Sequence, residues 1–349
     1  MITRYFNNLF AKHSPDNRTL EFSCFGITDD CILKCRMCRK WEQDIFVKKK
    51  TKIPSLEDWK NCISSLRGIA DDSFQINFGG GEPFLNKDIL ELVRFCKSKN
   101  FKTNIATNGY LIDKEMVKKI ADSGLDSLII SLDSLNEETH DCLRGVKGVY
   151  KKVMDSIGYL DKFCNGLYKG ICCAIYDANL DDIVKLAEWA DKDTRLNSVY
   201  FMAAMQPNNT PLNAEWRKKD EFKFLWPNDS HKACSVINEV IKLKESGYKI
   251  TNQACQLEAF KMYYQYPDRF VKNTRCNMDR AIHISSCGDI FLCYQWPLLG
   301  NIQTDDLVEV LNSEKAGQIR QDISNCKNNC HFLLNCFFKD DYPFKLNLS

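Results

Sequence analysis

The pattern that most constrains this chain is an alternation of short apolar runs with amphipathic stretches. Runs at 21–27, 74–78, 102–106, 127–132, 170–175 and 198–202 read as buried strands. Helical periodicity fills the gaps at 55–69, 86–100, 113–123, 146–163 and 180–190. Asn86 stands where an N-cap is expected, and Gly124 where a helix stops. Strands separated by helices predict a parallel sheet, because right-handed crossovers lay the helices on its faces. Periodicity leaves an open doubly wound sheet and a partial barrel as alternatives. Either way, ligands belong at the carboxyl ends of the strands. Beyond about residue 205 the pattern loosens. Pro207, Asn208, Asn209 and Pro211 mark a connection, 235–247 reads as one more helix, and 249–251 reads as a strand.

Bulk properties narrow the function classes. Of 349 residues, 44% are hydrophobic and 27% charged, an ordinary globular composition. A net charge of +2 argues against nucleic acid as a partner. The basic run from Lys48 to Lys52 reads as a solvated loop. No apolar stretch approaches the roughly 20 residues that span a bilayer. The N-terminal residues carry Arg4, Lys12, Asp16 and Arg18 among apolar positions, unlike a signal peptide. A cytoplasmic protein without a membrane partner is expected. In such a reducing compartment, 18 cysteines point to metal binding or chemistry rather than disulfides.

Cys31-Ile-Leu-Lys-Cys35-Arg-Met-Cys38 follows the first expected strand. Three thiolates within eight residues reach three corners of one [4Fe-4S] cubane and leave its fourth iron open. Zinc sites usually supply four ligands, and no fourth lies nearby. Phe78-Gly-Gly-Gly-Glu82-Pro follows the second strand, where glycines let the backbone approach a ligand. Glu82 offers an acceptor for an ammonium group.

A Cys-x-x-x-Cys-x-x-Cys loop followed by Gly-Gly-Glu-Pro resembles the radical S-adenosylmethionine (SAM) superfamily, over roughly residues 20–205. The resemblance implies an α/β partial (β/α)6 barrel, TIM-like, rather than an open sheet. It implies that Cys31, Cys35 and Cys38 ligate the cluster and that Gly80, Gly81 and Glu82 bind the SAM amino group. Asn108, Ser131 and Asp133 match positions that contact SAM, and Arg144 resembles an arginine that pairs with its carboxylate. Asn108-Gly109 would also form a turn unaided. Met37 departs from the family, which often has an aromatic residue there.

The C-terminal cysteines form a second group. Cys276, eleven residues, Gly288, four residues and Cys293 precede Cys326-x3-Cys330-x5-Cys336. This resembles the auxiliary-cluster domains called SPASM and, when shortened, twitch. Asp340 stands where the full pattern has another cysteine, so one auxiliary [4Fe-4S] cluster is expected rather than two. Its ligands would be Cys276, Cys293, Cys326 and either Cys330 or Cys336, with Cys287 spare. A structural zinc is the alternative. The expected organisation is an N-terminal extension (1–20), the barrel (21–244) and a smaller cysteine-rich α+β domain (245–349).

The resemblance implies one-electron cleavage of SAM to a 5′-deoxyadenosyl radical, which abstracts a hydrogen atom from substrate. The electron would come from a donor such as flavodoxin or ferredoxin. A first motif at residue 31 and a short auxiliary domain favour a small polar substrate, a sugar or aminocyclitol derivative, and a net oxidation. Peptide or protein maturation is the alternative, and a non-catalytic iron–sulfur or zinc protein is a second one. No catalytic acid or base is assigned; Asp279 and Tyr294 read as structural.

Overall fold

The computed structural model describes residues 19–42, 53–208, 210–211, 213, 215–267, 276–326 and 330–335. The Lys48 to Lys52 run, Cys336 and nearly all of the 1–20 extension fall outside these residues. Six strands form where the apolar runs place them, each end within two residues of expectation. They are β1 (Phe22–Thr28), β2 (Gln75–Gly80), β3 (Lys102–Thr107), β4 (Ser127–Ser131), β5 (Tyr168–Ile175) and β6 (Ser198–Ala203). Each pairs in parallel with the next. Between them lie α1 (Leu56–Ser65), α2 (Ile89–Ser98), α3 (Lys114–Ala121), α4 (Glu137–Arg144), α5 (Val149–Phe163) and α6 (Ile183–Lys192). After β6 come α7 (Ser230–Glu245) and α8 (Ala254–Gln265).

Local chemistry fixes the helix starts. Ser55 and Asp58 close a reciprocal capping box before α1. The Asp113 carboxylate accepts the Glu115 and Met116 amides at α3, and Asn136 accepts the Thr139 amide at α4. Asn86 does not cap α2, which begins at Ile89. A 3₁₀ turn at Pro83–Leu85 intervenes. The Asn86 side chain accepts the Asp88 N–H at 2.8 Å and donates to the Ile27 carbonyl at 3.2 Å, tying this turn to β1.

The strands are sided. Phe25, Ile76, Phe78, Ile105, Leu128, Ile130, Ile171 and Phe201 are fully buried under the helices. Trp59 of α1 packs its ring 5.8 Å from that of Phe25. Alternate residues face the other way and stay half-covered or open: Asn77, Asn104, Ala106, Ile129, Ser131, Cys172, Ala174 and Met202. The inner face of the barrel is therefore a concave wall of mostly small and polar side chains, with Ile129 and Met202 among them. In a closed eight-stranded barrel, bulky layers fill that space.

The tail extends the same sheet. β7 (Ala281–Ile284) pairs in parallel with β1, Phe22 opposite Ala281 and Phe25 opposite Ile284. β8 (Asp289–Phe291) and β9 (Gly300–Asn301) follow antiparallel, giving the order β6-β5-β4-β3-β2-β1-β7-β8-β9. Among the described residues of the tail, three α-helices follow: α9 (Leu307–Asn312), α10 (Glu314–Ser324) and α11 (His331–Asn335). The last returns to the opposite edge of the sheet.

That edge, β6, is sealed residue by residue. The 249–251 segment makes one parallel bridge to Val199 rather than a full strand, with bonds of 2.9 and 3.0 Å. Asn252 accepts the Phe201 N–H at 2.7 Å and donates to its carbonyl at 2.9 Å. Asn335 of α11 does the same for Ala203, both bonds at 2.9 Å. Two side-chain amides thus stand in for a seventh strand, on backbone groups that would otherwise be unpaired.

Candidate active site

The cysteine loop leaves the carboxyl end of β1 and is gripped from two sides. From β2, the Gly81 N–H donates to the Thr28 carbonyl at 2.7 Å, and the Glu82 N–H to the Asp30 carbonyl at 2.8 Å. A β-carbon on Gly81 would lie 2.2 Å from that Asp30 oxygen, so only glycine permits the approach. From α4, the Leu143 carbonyl accepts the Arg36 N–H at 2.9 Å. Gly145 ends α4 at φ +70°, where a β-carbon would lie 2.0 Å from the Lys34 carbonyl.

Within this grip the thiols of Cys31, Cys35 and Cys38 lie close enough to repel one another as thiolates. Burial pushes Cys35 up to about 11, and the neighbouring Arg144 guanidinium draws it back. Burial also raises Cys31. The Asn108 side-chain N–H points at the Cys31 sulfur at 3.8 Å, and that of Asn208 at the Cys38 sulfur at 3.9 Å. Asn208 also pairs by backbone with the loop, its carbonyl accepting the Arg39 N–H at 3.0 Å. In the sequence, Asn208 reads only as part of a connection.

Glu82 is fully buried. Its carboxylate accepts the Thr107 hydroxyl at 2.8 Å, the Asn108 amide at 2.9 Å and the Phe84 amide at 3.2 Å. Burial raises its pKa, and these three bonds oppose the rise. Glu82 therefore locks the β2 turn to the β3 turn, placing Asn108 over Cys31. Gly80 lies exposed at the end of β2, and Ser131 ends β4 on the concave wall.

Asp133 and Arg144 meet in the interior. Arg144 Nε stands 2.7 Å from Asp133 Oδ2, an ion pair whose N–H is off the hydrogen-bond line. Asp133 is 1% exposed. Its N–H donates to His140 Nδ1 at 3.1 Å, and its carbonyl accepts from Asn179 at 2.7 Å. Burial holds His140 neutral, down to about 4. His140 has no signature in the sequence, because its task is to hold a backbone amide. Arg144 is thus ion-paired within the protein, with its charge directed towards Cys35.

In the tail, the thiols of Cys276, Cys293, Cys326 and Cys330 lie within electrostatic reach of one another. Burial pushes Cys276 up to about 12 and Cys293 to about 11. The Gln295 side-chain N–H points at the Cys330 sulfur at 3.2 Å, and the Phe332 amide at 3.4 Å. Cys287 lies on the β7–β8 turn, its sulfur 3.9 Å from the Ser286 hydroxyl. The ring of Tyr294, a residue 41% exposed, meets that of His283 edge to face, with centroids 4.9 Å apart.

The first three cysteines fit a metal cluster. Sulfur donors face one another, amide N–H groups point at two of them, and a permanent cation backs the third. The Asn108 N–H and the Arg144 charge favour the thiolate that ligation requires, against burial and the mutual repulsion of the thiols. Among the described residues no three His, Cys, Asp or Glu side chains gather around a single-ion position. A cubane spreads its ligands over separate irons.

An open parallel barrel with three thiols at the end of its first strand defines the class: an α/β protein built around an iron–sulfur centre. Residues 26–190 match the family model of the radical SAM superfamily, and residues 276–336 match that of an iron–sulfur cluster-binding domain, SPASM. The chain belongs to the radical SAM superfamily and carries a C-terminal SPASM domain. Its cofactors are accordingly a [4Fe-4S] cluster and SAM, with auxiliary iron–sulfur binding in the tail. Membership makes it an enzyme.

An AdoMet-dependent heme synthase of Methanosarcina barkeri is 24% identical over 320 residues, covering 87% of this chain and 85% of that protein. An Fe-coproporphyrin III synthase of the same organism is 32% identical, and the match spans 48% of this chain but only 40% of the synthase. A PqqA peptide cyclase of Bradyrhizobium diazoefficiens is 30% identical over 37% of this chain and 33% of the cyclase. Among solved structures, Streptococcus suis SuiB bound to S-adenosylmethionine shares the fold at a TM-score of 0.65 and 18% identity, covering 87% of this chain and 68% of SuiB. Native anSMEcpe, with bound AdoMet and a Cp18Cys peptide, does so at 0.62 and 18%, covering 94% of this chain and 93% of that one. No helix among the described residues is long and apolar enough to cross a membrane.

Proposed function

We propose that this chain modifies a peptide substrate. What supports the reading is the concave wall, half-open and lined mostly with small and polar groups beside Ile129 and Met202, in a fold that SuiB bound to its precursor peptide SuiA and peptide-bound anSMEcpe share. It displaces the sugar or aminocyclitol substrate that the short tail first suggests. A tetrapyrrole is the second reading, favoured by the heme synthase that matches most of the chain.

In this reading Cys31, Cys35 and Cys38 hold the cluster, and Cys276, Cys293, Cys326 and Cys330 hold one auxiliary cluster. Gly80, Asn108 and Ser131 border SAM, and Gly81, Glu82, Asp133 and Arg144 hold that border in place from behind. When bound and given one electron, these cofactors supply a hydrogen-abstracting radical. The protein contributes position. Glu82 and Gly81 fix the cysteine loop against β2, Asp133 holds the Arg144 charge beside Cys35, and the inner wall orients the substrate and excludes water.

The test is anaerobic reconstitution with iron and sulfide, then reduction by dithionite with SAM. Peptides encoded beside the chain's own coding sequence, a sugar and aminocyclitol pool, and Fe-coproporphyrin III are supplied in parallel. A mass change in a peptide, with 5′-deoxyadenosine released, is expected. Turnover confined to the sugar or porphyrin arm replaces the reading. A variant with Cys31, Cys35 and Cys38 changed to Ala should cleave no SAM yet keep about four irons. About eight would mean two auxiliary clusters.

A further inference from the structure

We infer that the outer face of the cysteine loop is the docking surface for an acidic one-electron carrier protein. The inference rests on the loop holding the SAM-cleaving cluster.

The loop alternates. Cys31, Leu33 and Cys35 turn inward, while Ile32, Lys34 and Arg36 are exposed, Ile32 by 36%. Two cations therefore stand on the solvent side, one residue from Cys35 on either side. Lys147 joins them. It lies two residues after Gly145, whose backbone presses on the Lys34 carbonyl, and two residues span at most about 7 Å.

Ion pairing divides the cations of this end of the sheet into two sets. Arg39 is held by Glu221 at 2.8 Å and Glu42 at 3.4 Å, and Lys40 by Asp29 at 2.7 Å. Lys34 and Lys147 have no carboxylate partner among the described residues. Arg36 rests 3.6 Å above the Phe224 ring and donates to the Cys142 sulfur, again without an anion. The loop's outer face thus carries Ile32 with two cations, and Lys147 beside it adds a third, against one exposed carboxylate, Asp30, so the patch is basic on balance and lies over a buried cysteine. Weak electron-transfer encounters use patches of this small kind, with charge steering the approach. In the encounter the carrier is oxidised by one electron and the cluster reduced by one.

A competing account is that these cations only stabilise the negative C-terminal end of α4. The experiment separates the two. SAM cleavage by the reconstituted holoenzyme is measured as 5′-deoxyadenosine formed, with reduced flavodoxin or with dithionite as donor. The wild type is compared with the double variant Lys34→Glu, Lys147→Glu. At subsaturating flavodoxin the variant should be slower by roughly tenfold or more, and the wild-type rate should fall with added salt. Its dithionite-supported rate should stay within about twofold of wild type, because a small reductant needs no docking surface. Unchanged flavodoxin-supported cleavage overturns the surface. An equal loss with both donors assigns the cations to α4 and also overturns it. Absence of dithionite-supported cleavage in the wild type overturns the underlying radical SAM chemistry, and the docking surface with it.

Discussion

At the residue scale, Gly145 carries more than its place beside Arg144 suggests. A methyl group there would meet the Lys34 carbonyl at 2.0 Å, in a left-handed backbone that L side chains resist. Gly145→Ala should cost about 2 kcal/mol or more, read by urea unfolding, because strain and the displaced loop add. The variant should also retain less iron, since the loop it disturbs carries Cys35. Two buried histidines give a second expectation. His140 and His283 are held at about 4 by burial, against 6.5 for a free side chain. The unfolded chain therefore binds protons that the native state refuses. Their stability is intact above about pH 6.5 and is lost as pH falls towards 4. At pH 5 each costs about 2 kcal/mol. His283→Asn keeps a donor towards the Leu292 carbonyl and should flatten the loss between pH 7 and pH 5 by about that amount. The cysteine triad was legible in the sequence because its spacing is local. Asn208 and His140 were not, because each serves a residue brought near only by folding.

At the element scale, the six strands were legible because each sets residues that need burial at alternate positions between helical stretches. Strands β8 and β9 were not, at three and two residues. Nor was the sealing of β6, since asparagine reads as a turn former until its partner strand is known. That seal is testable. Asn252→Ala removes both partners of the Phe201 backbone, leaving a buried N–H and C=O unpaired. Each such group costs about 1–3 kcal/mol, so a loss of about 2–6 kcal/mol is expected in urea unfolding. Amide exchange should rise at Phe201 and leave Ile105, in the centre of the sheet, protected. Equal exchange at both residues would mean that β6 opens only with the whole barrel.

At the scale of the molecule, the tail clasps the barrel by both edges. β7 adds four paired residues to β1, and Asn335 closes on Ala203 at the far side. Cys276 immediately precedes the turn that enters β7, and Cys330 immediately precedes α11. An auxiliary cluster on these thiols would therefore tie the two edges together across the opening. The boundary expected at residue 245 falls where α7 ends, yet the sheet runs on through β7. The barrel and the tail should consequently unfold together. A chain ending at residue 267 would expose the β1 ladder and the Ala203 backbone at once, and exposed edges recruit other chains. Such a fragment should elute as oligomers or precipitate, and should lose the exchange protection of β1 and β6 before that of β3. A monomeric fragment with an intact, cooperative melt would mean instead that the tail is a separable domain resting on a self-sufficient barrel.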